Sequence, residues 1–534
     1  MDENLKPWPW DGVVYQIYPR SFYDANGDGI GDLKGITDKL DYLAGSADSL
    51  GVNGIWLSPF YKSPMVDFGY DVSDYYDVDP IFGNLDDFNN LLEKAHEREL
   101  KVMVDLVVNH TSDQHPWFLE SRSSVDNPYR DWYTWRPPTQ QGSLPNNWRS
   151  VFGGPAWTYD PHTGEYYLHS FAAQQPDLNW DNPKVRETIK DVVRFWLDLG
   201  VDGFRMDAVN WISKDPQMRD DPPDPSYHQG DSSDYDALLH PYSCGGSQLF
   251  NYIREITDTL KDHQGTFIVT EAYPSGNQGA SEYLKFYENI DPALSAPFNF
   301  EGIYLPWNAR SFKSKIDEFQ HLLKPDYLPI YTLGNHDKRR LATRIGRPAV
   351  RTAAMMLLTL PGMPFIYYGE EIGMVDVQVP QHLARDPYLN QDKGRDTVRT
   401  PMQWDNSPNA GFSRSPPWLP VSAHYAENNV QLQAEDQTSI LNLYRSLIKL
   451  RKSSAALKFG NYQPVETAAD IFGYERVYND EKVAVALNFS PRTVSAQLPA
   501  GHLIMSSYLD TPERPIEAGP FDLRPYEGVI IAAG

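Results

Sequence analysis

Short apolar runs rich in β-branched residues recur along most of the chain, and between them apolar positions return every three or four residues. The first pattern predicts buried strands and the second predicts amphipathic helices. Strands are expected at 12–19, 54–59, 101–108, 203–209, 267–272, 296–300, 328–334 and 364–368. Helices are expected between them at 35–48, 86–99, 183–199, 248–262, 313–323 and 349–359. Asp86 and Asp87 open the second helix, where acidic side chains suit a first helical turn. Eight strands alternating with helices predict an α/β chain folded as a parallel (β/α)8 barrel of the TIM type.

Three connections are longer than a strand-to-helix loop requires. Residues 111–182, after strand three, are rich in Trp, Tyr, Pro and Asn and read as an inserted B subdomain. Residues 212–247, after strand four, contain Asp-Asp-Pro-Pro-Asp-Pro and read as an ordered surface loop. Residues 374–436, after strand eight, form a further insertion. All three leave the C-terminal face of the barrel, where active sites of such folds lie. A helix is expected at 437–452, with Ile440, Leu441, Leu443, Tyr444, Leu447 and Ile448 in helical spacing. Beyond Lys458, the runs 471–478, 482–489, 493–498, 503–509 and 525–532 alternate like antiparallel strands of a C-terminal β-sandwich. The expected domains are a barrel of 1–110 and 183–456, a subdomain of 111–182 and a sandwich of 457–534.

With 534 residues the chain exceeds one ordinary core, which agrees with this division. A net charge of −25 argues against nucleic acid and anionic membranes as partners, and fits a neutral substrate. Aromatic residues reach 13%, and flat rings suit the faces of sugars. Cys244 is the sole cysteine, so no disulfide can form within the chain. The first eight residues lack the basic start and apolar core of a secretion signal, and no apolar run approaches the roughly 20 residues of a membrane span. A soluble cytoplasmic protein is expected. Oligomeric state has no signature here.

The chemistry sits at the strand ends. Asp207 ends Gly-Phe-Arg-Met-Asp, Glu271 follows Thr-Phe-Ile-Val-Thr, and Asp337 follows Tyr-Thr-Leu-Gly-Asn-His. A carboxylate that ends an apolar run is partly desolvated and costs free energy, a cost found mainly where it does chemistry. Three of them, on strands four, five and seven, point to carboxylate catalysis such as glycoside hydrolysis. Arg205, two residues before Asp207, points to the same side of its strand, and its cation is expected to keep Asp207 ionised. A second pattern lies at 24–32, where Asp24, Asn26, Asp28, Ile30 and Asp32 space oxygen donors at alternate residues, with glycine at the sixth position. This resembles the first nine positions of a calcium loop, without the twelfth-position glutamate or the preceding helix of an EF-hand.

These segments resemble glycoside hydrolase family 13, the α-amylase family, in its α-glucosidase and oligo-1,6-glucosidase branch. The matching stretches are Asp-Leu-Val-Val-Asn-His (105–110), Gln-Pro-Asp-Leu-Asn-Trp (175–180), Gly-Phe-Arg-Met-Asp (203–207), Thr-Glu-Ala (270–272), Asn-His-Asp (335–337) and Arg-Thr-Pro-Met-Gln-Trp (399–404). The resemblance implies Asp207 as nucleophile, Glu271 as general acid and later base, and Asp337 as the third carboxylate, which holds the distorted sugar. It implies that His110 and His336 bind sugar hydroxyls. Asp67, Tyr70 and Arg399 would close the far end of the sugar site, with Phe171 and Gln175 along the same pocket. It implies a structural calcium, or in some relatives magnesium, in the 24–32 loop, and no organic cofactor. The implied activity is an exo-acting, retaining α-glucosidase acting on short α-glucosides of maltose, isomaltose or sucrose type. The alternatives are a transglucosylase or sugar isomerase on the same intermediate, an endo-acting amylase, and a non-catalytic transporter-associated scaffold of the same fold. Relatives carry valine or threonine after the nucleophile according to linkage. Ala208 departs from both, which points to α-1,4 or mixed specificity or to non-sugar acceptors.

Overall fold

The computed structural model describes residues 8–228, 234–273, 279–387 and 394–533. Eight parallel strands close into a barrel: β1 (Val14–Ile17), β2 (Gly54–Leu57), β3 (Lys101–Val107), β4 (Gly203–Asp207), β5 (Phe267–Thr270), β6 (Ser295–Asn299), β7 (Ile330–Thr332) and β8 (Met363–Tyr367). Neighbours follow chain order, and β1 pairs with β8 to close the ring. Each expected strand is present; six are shorter than their apolar runs, and β6 and β8 keep the expected five residues but start one residue earlier. Tyr18 and Val108, just past the ends of β1 and β3, are as buried as the strands, so burial outlasts the hydrogen-bonded ladder.

The helices pack outside. Leu85–His96 starts on a capping box in which Asn84 and Asp87 exchange side-chain and backbone bonds. Pro183–Leu199 ends at Gly200, whose positive φ of 105° suits the left-handed cap. The expected 35–48 helix is broken into Leu33–Asp38 and Leu40–Leu43. Ala280–Asn289 was not expected, because its buried face is carried by Ala280, Tyr283, Phe286 and Tyr287 rather than by aliphatic residues. Val350–Thr359 is buried nearly all round, because the C-terminal sheet covers its outer side.

Between β3 and Pro183–Leu199, the strands Trp135–Arg136, Trp157–Asp160 and Glu165–Leu168 form a small antiparallel sheet. At the C-terminus a six-stranded antiparallel sheet lies beside a two-stranded one. Strand Asn461–Val465 escaped the sequence reading because it is a mostly exposed edge with little apolar alternation. The parts of the two later insertions at 229–233 and 388–393, and residues 1–7 of the N-terminal reading, lie outside the described residues. Among the described residues no helix is long and apolar enough to cross a membrane.

Candidate active site

Asp207 is the last residue of β4, Glu271 directly follows β5, and Asp337 lies five residues beyond β7. All three open into a cavity of about 620 Å3 at the C-terminal face of the barrel. Asp67, Tyr70, His110, Phe171 and His336 line the same cavity. Gln175, Arg205 and Arg399 are almost wholly buried and stand behind its wall.

Arg205 is the hub of the floor. One nitrogen of its guanidinium bonds Asp105 at 2.9 Å and Asp207, and the other bonds Glu271. The amide of Ala208 also donates to Glu271, at 2.8 Å, so the residue after one carboxylate grips the other. Tyr273 donates its hydroxyl to Glu271 at 3.1 Å. One cation faces three buried carboxylates. Burial pushes Asp207 well above the usual carboxylate range; Arg205 works against this, while Glu271 and Asp105 add to it. Arg205 favours the ionised form of Asp207, as expected, but it does so against burial and two neighbouring negative charges that share the same guanidinium. Asp105 is pushed up to about 6 by burial and holds Arg205 through a bond at 2.9 Å.

Asp337 differs. Burial works to raise it, but the neighbouring guanidiniums of Arg395 and Arg399 overcome burial and hold its carboxyl far below the usual range. The two guanidiniums carry this effect, since burial keeps His336 neutral. His336 is held by Gln16 at 2.8 Å and by the Tyr70 hydroxyl at 2.7 Å, with its ring stacked on Tyr70. Burial lowers His110 to about 4, so it too is neutral near pH 7. Its Nε2 lies 3.0 Å from the Gln175 amide, which also donates to Asp67.

The far end of the pocket differs from expectation. Arg399 donates to the His336 carbonyl and to Asp337, both at 2.9 Å. The residue that bridges Asp67 is Arg395, at 2.5 Å, with further bonds to Asp337 at 3.1 Å and Asp386 at 2.7 Å. Sequence reasoning missed Arg395. It sits four residues before Arg399, on an insertion with no periodic pattern that could announce which cation reaches the pocket. His115 and His169 make local bonds: His115 caps the helix Pro116–Ser123, and His169 bonds Thr158 and the Phe171 carbonyl.

In the 24–32 loop the oxygens are largely turned to the backbone. Asp24 accepts from Gly27, Gly29 and Ser413, and Asp32 accepts from Ala25, Asn26 and Gly35. Among the described residues no three His, Cys, Asp or Glu side chains converge as a metal set. The donor set that includes the Asn26 amide and the Ile30 carbonyl is nonetheless all oxygen, and Asn26 and Asp28 are open to solvent. That chemistry fits a hard cation, which takes carboxylates, amide and backbone oxygens and waters together.

Residues 16–460 match the family described as alpha amylase, catalytic domain. The chain is 40% identical to an oligo-1,6-glucosidase of Parageobacillus thermoglucosidasius, over 98% of each protein. It is 43% identical to an alpha-glucosidase of Culex pipiens, over 84% of this chain and 76% of that one. The crystal structure of an alpha-glucosyl transfer enzyme, XgtA, superposes with a TM-score of 0.92 at 37% identity, covering 99% of this chain and 100% of that one. Carboxylates at three strand ends of one closed barrel, and a match over most of the length, make this chain a member of the alpha-amylase family, glycoside hydrolase family 13, in its α-glucosidase and oligo-1,6-glucosidase branch.

Proposed function

We propose that the protein is an exo-acting, retaining α-glucosidase that releases glucose from the non-reducing end of short α-glucosides. The observation that carries this reading is the ion-pair cluster at one end of the cavity, where Arg395 bridges Asp67 and Asp337, an arrangement that suits a pocket closed behind one terminal sugar unit. An endo-acting enzyme needs a cleft open at both ends. In the first step an Asp207 oxygen attacks the anomeric carbon while Glu271 gives its proton to the departing glycosidic oxygen. A glucosyl ester on Asp207 results. In the second step Glu271 takes a proton from water, whose oxygen displaces the Asp207 carboxylate. Asp337, held ionised by Arg395 and Arg399, accepts sugar hydroxyls and favours the positively charged transition state. His110 and His336, both neutral, serve as hydrogen-bonding partners for other hydroxyls.

The likeness to an alpha-glucosyl transfer enzyme favours a second reading, in which a sugar or alcohol replaces water in the second step. Product analysis after incubation with maltose, isomaltose and sucrose separately decides between them. Glucose with little longer product establishes hydrolysis and ranks the linkages. Accumulating trisaccharides or isomers establish transfer.

We also infer that the 24–32 loop holds calcium or magnesium as a structural cation. The alternation of oxygen donors and the exposed Asn26 and Asp28 support this. A chelator should then lower the melting temperature, and added calcium or magnesium should restore it, while Asp28→Ala removes the response. A melting temperature indifferent to chelator and to both cations sinks the idea. We also infer a cytoplasmic location, with which a single cysteine is compatible.

A further inference from the structure

Asp71 lies outside the cavity lining and is fully buried, yet its carboxylate gathers the turn that carries Asp67. One oxygen accepts from the Asp67 amide and from the Ser63 hydroxyl, both at 2.9 Å, and the other accepts from the Val66 amide at 2.9 Å. Ser63 in turn accepts from the Met65 amide at 2.9 Å. Three successive backbone N–H groups, of Met65, Val66 and Asp67, are thus satisfied by one carboxylate and one hydroxyl. The turn needs such a clamp. Met65 and Phe68 have φ of 63° and 48°, a left-handed conformation that residues other than glycine rarely adopt, and Gly69 follows at 107°. Without an anion to collect its N–H groups, this backbone has reason to relax toward ordinary angles.

What the turn presents is the Asp67 end of the pocket. Asp67 meets Arg395 at 2.5 Å and Gln175 at 3.2 Å. Phe68 packs on Trp418, with ring centroids 5.2 Å apart, and under the Arg20 guanidinium. A shift of the Asp67 amide moves its carboxylate out of this arrangement.

We propose that Asp71 is a positioning residue of the glucosyl site: its carboxylate, relayed in part by Ser63, holds the left-handed turn in the shape that aims Asp67 into the cavity. This rests on the assignment of Asp67 to the sugar. Asp71→Asn keeps the size of the side chain but turns one of its acceptors into a donor that faces N–H groups.

The test is a double-mutant cycle in the full-length enzyme with an aryl α-glucoside as substrate. Asp71→Asn should lower kcat/KM about tenfold, mostly through KM, because Asp67 grips the sugar in ground and transition states alike. In an Asp67→Ala background the same change should cost less than about twofold, because the residue it acts through is gone. Wild-type kinetics for Asp71→Asn, or an undiminished loss in the Asp67→Ala background, overturn the proposal. If Asp71→Asn does not fold, Ser63→Ala decides. A roughly threefold loss that vanishes with Asp67→Ala supports the clamp, and unchanged kinetics refute it. An Asp67→Ala enzyme with wild-type kinetics would instead refute the assignment of Asp67 itself, and this proposal with it.

Discussion

Arg205 at the foot of the pocket is shared by Asp105, Asp207 and Glu271, so the cluster carries more carboxylates than cations among buried side chains. The charge on Asp207 is therefore held at a cost in the resting enzyme and is relieved when it bonds to carbon. Asp207→Asn removes that chemistry without removing packing. Turnover should fall at least about a thousandfold, while the melting temperature holds or rises, because a neutral amide is easier to bury than the carboxylate. Retention of more than a few per cent of activity would take Asp207 out of the nucleophile role. Arg395 is the matching case on the cationic side. Arg395→Ala strands Asp67 and Asp386 in a buried site, a loss of about 3–5 kcal/mol for a broken buried pair. Both the KM for maltose, by roughly tenfold or more, and the melting temperature should suffer, and Arg395→Lys should not rescue them, since one ammonium cannot serve several carboxylates as a guanidinium fork does. Unchanged KM in Arg395→Ala would reopen the end of the pocket as a question.

The elements that carry these side chains are short, and their ends are shaped by turns rather than by ladders. The exit of β8 shows how. Gly369, at a φ of 82°, turns the chain so that Glu370 points inward. There Glu370 accepts from the Tyr444 hydroxyl at 2.9 Å, and its other oxygen faces Gly334, two residues before His336. Burial pushes the Glu370 carboxyl up to about 8, with Tyr444 and Arg344 working against the rise. A folded-state value above the unfolded one means that the native state binds the extra proton. This contribution to stability is complete below the ordinary value of 4.5 and is lost as pH rises through about 8. Glu370→Gln keeps the shape without the charge. Denaturation at pH 5 and pH 9 should show the wild type losing on the order of 4 kcal/mol more than the variant over that interval. Parallel losses in the two proteins would remove Glu370 from the account.

At the scale of the molecule, barrel and C-terminal sheet share one core. Phe472, Tyr474, Leu487, Phe489 and Ile530 belong to the same apolar cluster as the barrel helices, while Ile471, Ala496, Leu498 and Leu523 make a second cluster between the two C-terminal sheets. Buried arginines fasten the joint. Arg476 donates to the carbonyls of Thr359 and Gly460, and Arg451 to those of Leu358 and Leu360, at the end of Val350–Thr359. Burial, with Arg451 beside it, lowers Arg476 to about 9, and it remains a cation near neutral pH. Arg476→Met leaves two carbonyls unpaired. It should cost about 1–3 kcal/mol for each stranded group, read as a lower melting temperature with kcat/KM unchanged. A fall in kcat/KM at temperatures where the variant is fully folded would mean that the sheet reaches the site.

Local chemistry determined much of this in advance. Apolar runs located all eight barrel strands, because a strand buried on both faces is written as consecutive apolar residues. Asp207, Glu271 and Asp337 were legible because a carboxylate ending such a run is anomalous whatever surrounds it. Ala280–Asn289 and Asn461–Val465 were not, because one buries an aromatic stripe and the other is exposed on an edge. Only the tertiary structure decided that Arg395, rather than Arg399, spans Asp67, that Arg205 divides itself among three carboxylates, and that Asp71 clamps the turn behind Asp67. Those facts depend on where side chains from distant segments meet, and on how much water remains between them. A sequence states which charges exist, while distance and burial set what each one does.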